Sequence, residues 1–114
     1  MSYLTSVTLQ QPFEPTVAST RAALADQGFG VLTEIDVRST VKSKLGADMD
    51  AYLILGACNP TLAHRALQIE PSLGVLLPCN VSVRSIGPST TIVEAVDPAK
   101  LVILTGNDRL ASIS

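Results

Sequence analysis

A chain of 114 residues carrying eight Lys and Arg against ten Asp and Glu has a formal net charge of −2, and its pI is near 5.1. That balance argues against a general affinity for nucleic acid, which needs a basic surface, and no apolar run reaches the length of a membrane span. Apolar residues make up 46% of the chain, yet Tyr3, Phe13, Phe29 and Tyr52 are the aromatic ones, so the core of this single domain (1–114) is built from Val, Leu, Ile and Ala.

Tyr3, Thr5, Val7 and Leu9 alternate as one face of a half-buried strand. Pro15 opens a helix whose apolar side is Val17, Ala18, Ala22, Leu24 and Ala25. Gly28 stands where a left-handed residue ends such a helix, and Phe29 is placed to close over Leu24. From Phe29 to Val37 the alternation predicts a second strand. Phe29, Val31, Thr33, Ile35 and Val37 fall on one face and Gly30, Leu32, Glu34 and Asp36 on the other. Glu34 and Asp36 read either as a solvated strand face or as an acid–base pair or hard-metal ligands. Val37, Val41 and Leu45 at four-residue spacing predict a short helix, with Lys42 and Lys44 near its C-terminal end and Gly46 as its stop.

The stretch Tyr52 to Val83 holds both cysteines and the single histidine of the chain. Tyr52-Leu53-Ile54-Leu55 suits a strand buried on both faces. Gly56 and Ala57 are small enough to let a ligand or another backbone approach the strand end. Asn59 followed by Pro60 is a helix start: the Asn side chain accepts an orphan N–H and the proline has its φ preset. The helix runs to about Ile69 before Pro71, with Leu62, Ala66 and Ile69 on its apolar stripe. His64, Arg65 and Gln68 fall on its polar side. A long strand is expected over Gly74–Ser85, a turn at Gly87-Pro88-Ser89, and a returning strand over Thr90–Val96. Asp97-Pro98 then breaks the sheet ahead of a short helix or apolar tail from Ala99 to Leu104. The order β-α-β-α-β-α-β-β-α describes an α+β two-layer domain, one mixed sheet with helices mainly on one face.

Two Cys-Asn pairs, Cys58-Asn59 and Cys79-Asn80, each follow a run of large apolar residues. Cys58 precedes a helix N-terminus, whose partial positive charge favours a thiolate. The plainer reading, which general burial tendencies favour, is a small buried hydrophobe packed on Ala63. The function read from the stretch is a cleft beside Cys58, shaped by Gly56, Asn59, Cys79, Asn80 and His64, for a small ligand, a cofactor or a soft metal. Cys58, Cys79 and His64 supply the three protein ligands an open zinc site needs, although their spacing matches no zinc pattern. A thiol relay through Cys58, with Cys79 as its resolving partner, is the alternative, and an interaction protein with core cysteines is a third reading. No nucleophile elbow or phosphate-binding glycine loop is present, so a hydrolase is the least supported class, and the sequence identifies neither a particular cofactor nor a particular reaction.

GACNP followed by LAHRAL, EP and LLPCNV, together with GFGVLTEIDV, KLG and AVDP, resembles the domain of unknown function 302 family of small bacterial and archaeal proteins. The resemblance spans about 3–104, leaving 105–114 as a tail. It implies a compact α+β domain and a homodimer. With no charged region followed by an apolar stretch near Met1, the expected location is the cytoplasm, where two cysteines stay reduced.

Overall fold

The computed structural model describes residues 3–112, with the side chain of Ser112 left aside. Five strands form one sheet in the order β1-β5-β4-β3-β2. They are β1 (Leu4–Leu9), β2 (Gly30–Asp36), β3 (Tyr52–Cys58), β4 (Cys79–Gly87) and β5 (Thr90–Val96). Four helices, α1 (Phe13–Asp26), α2 (Val37–Leu45), α3 (Pro60–Ile69) and α4 (Ala99–Thr105), and 3₁₀ segments at Pro71–Leu76 and Asp108–Ser112 complete the described chain. The α+β class and the order of elements are those anticipated. Within that class every strand pairing is antiparallel, where a mixed sheet was expected. The reason is that β1 and β2 lie at opposite edges, so α1 crosses the whole sheet instead of joining two parallel neighbours.

The register explains the core. Leu53 pairs with Val83, Leu55 with Val81 and Ala57 with Cys79, and Val81 and Val83 pair in turn with Ala95 and Val93. These side chains share one face, against which Phe13, Val17 and Leu24 of α1 pack. The end of α1 follows the glycine logic. Gly28 has φ +84°, Phe29 N donates to Leu24 O at 2.9 Å, and Gly28 N donates to Ala25 O at 3.0 Å. Those two bonds are a Schellman ending. Buried hydroxyls are also satisfied: Thr16 Oγ1 donates to Pro12 O at 2.8 Å, and Thr91 Oγ1 to Gln11 O at 2.8 Å.

Strand β2 departs from simple alternation. Val31 pairs with Ala57 but Thr33 pairs with Gly56, so Leu32 sits in a bulge. The extra residue switches the pattern to the other face. Phe29 and Val31 join the core under α1, whereas Ile35 lands on the uncovered face and is 50% exposed. Glu34 consequently pairs with Arg21 of α1. Asp36 caps α2 by accepting from Ser39 N at 2.9 Å. Both carboxylates thus have structural partners.

The strand expected over Gly74–Ser85 begins only at Cys79. Pro71 and Pro78 bracket the segment before it and the Leu77–Pro78 peptide is cis. Leu73 is buried while Val75 is 88% exposed, the sidedness of a 3₁₀ turn and not of a strand. The C-terminal stretch, read as a tail from 105, folds back instead. Leu110 packs with Ala66 and Leu73 in a second small core that also draws in Ile69, Leu77 and Val102. Residues 113 and 114 lie outside the described part.

Candidate functional site

Strand β3 leads straight into the site. Leu55 and Ala57 are buried under α1, and Cys58 is the last residue of β3. Asn59 then turns the chain into α3: its Oδ1 accepts from Leu62 N at 3.2 Å and its carbonyl from Ala63 N at 2.9 Å. This is the cap expected from the Asn-Pro pair. Asn59→Ala should cost about 1 kcal/mol of stability, read by urea unfolding.

Helix α3, the 71–76 turn, α4 and the 108–112 turn surround a cavity of about 480 Å³ at this strand end. Leu62, Ala63, Ala66 and Leu67 of α3 line one side, Leu101 and Leu110 another, and Phe29 and the bulged Leu32 a third. Cys58, Asn59 and Cys79 line the same cavity. Among the described residues, none that lines it is charged.

Of the residues singled out in the sequence, Cys58, Asn59 and Cys79 come together here, and the other three do not. Gly56 is buried within the sheet, where a Cβ would lie 2.0 Å from Thr33 Oγ1 and 2.8 Å from Pro78 Cγ. Its smallness therefore serves packing between strands. Asn80 lines a shallower depression of about 370 Å³ beside Tyr52, Ile54, Ser82 and Glu94. His64 is exposed on α3 and is not part of the cavity lining. Among the described residues no three His, Cys, Asp or Glu side chains stand close enough to share an ion.

Both cysteines are free thiols. Burial pushes the Cys79 thiol above its ordinary value, and the neighbouring Cys58 adds to the shift. A raised thiol is a poorer nucleophile at neutral pH. Alkylation at pH 7.5 should therefore label Cys58 before Cys79, and peptide mapping that finds Cys79 labelled first would reverse the ranking. The same shift sets a pH dependence. The folded state holds this proton more tightly than the unfolded state, so its stabilisation is complete below the ordinary value of 9.0 and is lost as pH rises through the raised one. Cys79→Ala should flatten that alkaline loss.

Sequence reasoning missed most of the walls. Leu32 enters only because of the bulge, and Leu73, Leu101 and Leu110 enter only because the chain folds back on α3. The recurrence of leucines beyond Pro98 was the one available signal.

This fold and strand-end cavity place the protein among small α+β domains with one antiparallel sheet. The chain belongs to the family described as domain of unknown function DUF302, whose profile matches residues 5–114. It is similar to the crystal structure of an uncharacterized conserved protein DUF302 from Bacillus stearothermophilus, with a TM-score of 0.89 and 28% identity over 99% of this chain and 88% of that one. Comparison with curated proteins finds no match. Among the described residues no helix is long and apolar enough to cross a membrane.

Proposed function

We propose that the domain binds a small ligand in the cavity beside Cys58. The observation that carries this reading is a cleft of about 480 Å³ with an apolar wall and a few polar groups gathered at one place. Ligand sites have that make-up and that size. Titration with Nile red, an uncharged dye that brightens in apolar surroundings, tests it. Saturable binding of one dye per chain is expected, and emission that never saturates would contradict the reading.

The meeting of two thiols at the cavity favours a second reading, a thiol relay in which the Cys58 thiolate attacks a disulfide and expels one thiol. Cys79 then attacks the Cys58 sulfur of the mixed disulfide, expelling the second thiol and leaving a Cys58–Cys79 disulfide. Incubation with a small-molecule disulfide, followed by a free-thiol count, would reveal it as the paired loss of both thiols. Two reduced cysteines also fit a cytoplasmic location.

The partner reading is a homodimer formed through the uncovered face of the sheet. That face carries Ile35, Ile54 and Tyr52, with Arg84 and Glu94 3.3 Å apart beside them. Under a twofold axis, opposite charges close together on one patch are self-complementary. Light scattering at micromolar concentration should give about twice the 12.0 kDa of the chain, and a monomer mass would reject the dimer.

A further inference from the structure

The cavity wall constrains the chemistry of what it holds. Leucines, alanines, prolines and Phe29 form almost all of it, and among the described residues no Lys, Arg, Asp or Glu reaches it. A carboxylate, phosphate or ammonium seated there would lose its hydration without gaining a counter-charge, a penalty that an uncharged group escapes. Cys79, held towards its protonated form by burial, adds no negative charge at neutral pH.

The polar groups lie together. Cys58, Asn59 and Cys79 follow one another around the junction of β3, α3 and β4, since Cys79 pairs with Ala57, the residue before Cys58. Asn59 Oδ1 is already committed to Leu62 N at 3.2 Å. What remains at this end is the Asn59 amide N–H₂ and the thiol hydrogens, which are donors. A ligand atom placed against them would have to accept. Elsewhere the mouth is apolar: Leu32 and Leu67 both line the cavity while remaining 66% and 36% exposed. A hydrocarbon body can therefore continue past the cavity along leucine side chains, which favours an elongated ligand over a compact one.

From this we propose that the cavity takes an uncharged molecule with an elongated hydrocarbon body and a single hydrogen-bond-accepting end, of the long-chain alcohol or ketone class, its polar end seated at Cys58, Asn59 and Cys79. The proposal rests on the ligand-binding reading above and gives it a substrate class.

Displacement of bound Nile red at pH 7 by three probes of equal chain length tests the class: 1-decanol, decanoate and decyltrimethylammonium. Decanol should displace the dye at concentrations at least about tenfold lower than either ion. Equal or better displacement by either ion overturns the proposal while leaving the cavity as a binding site. Failure of all three against a saturably bound dye also overturns it. Absence of any saturable dye binding removes the underlying reading as well, so the two failures are distinguishable. A second arm tests the seating. Asn59→Ser retains an N-cap oxygen but lacks the amide donor. It should weaken decanol about fivefold, in line with the loss of one hydrogen bond, and unchanged displacement by decanol would overturn the placement of the polar end.

Discussion

Gly56→Ala should be among the most damaging single substitutions in the domain, although it adds one methyl group. The new Cβ would lie 2.0 Å from Thr33 Oγ1 on β2 and 2.8 Å from Pro78 Cγ at the entry to β4. Neither neighbour is free to yield: Thr33 is β-branched and sits beside the bulge, and Pro78 is a ring next to the paired residue Cys79. Overpacking of this kind costs about 1–3 kcal/mol and occasionally more. Urea unfolding should show a midpoint well below that of the native chain. Adding Thr33→Ala to Gly56→Ala should restore part of the loss, because it removes the closer contact and leaves the one to Pro78. A double mutant no more stable than the single one would mean that the clash is not the cause.

Leu55→Ala carries the second large effect. Leu55 is fully buried in the interior strand β3, paired with Val81 on one side and Glu34 on the other, and α1 covers it. Truncation there removes apolar burial and leaves a cavity that a paired sheet is slow to close, at about 2–5 kcal/mol. Leu45→Ala is the matched control, since Leu45 is 76% exposed at the end of α2. Its effect should stay within about 0.5 kcal/mol. Similar losses for the two variants would contradict the assignment of the core to the face under α1.

Where a residue type is forced by backbone chemistry, the chain could be read in advance. Gly28 at φ +84° and Gly46 at φ +68° end helices as only glycine does cheaply. Asn59-Pro60 starts α3 with the bond anticipated for it, and Thr90–Val96 returns as the expected strand. These features are local, so a few neighbouring residues decide them. The bulge at Leu32 is different. Alternation counts residues and carries no mark where one is skipped, so it puts Ile35 on the same face as Phe29 and Val31, whereas the bulge turns it to the opposite, open face. Likewise Gly74 to Pro78 has the composition of a strand, but packing of Leu73 onto Ala66 and Leu110 decides its conformation.

The candidate site divides along the same line. Cys58 and Asn59 were visible because they flank a strand end and a helix start in sequence, and Cys79 because it repeats the Cys-Asn pair after an apolar run. His64 and Asn80 shared that window but not the cavity, since α3 turns His64 to solvent and the sheet puts Asn80 on the face opposite Val81. The walls supplied by Leu101 and Leu110 depend on a contact between distant parts of the chain, which no local pattern records.

The central claim is that the cavity beside Cys58, and not the open sheet face, holds the ligand. Ala63→Phe tests it most directly, because Ala63 lines that cavity on α3 and a phenyl ring there would intrude on the space a ligand needs. Nile red titration would be run on this variant and the native chain, with circular dichroism to verify that both are folded. A folded variant whose dye affinity falls at least about tenfold is the predicted result. A folded variant that binds the dye as the native chain does would place the ligand elsewhere and contradict the account.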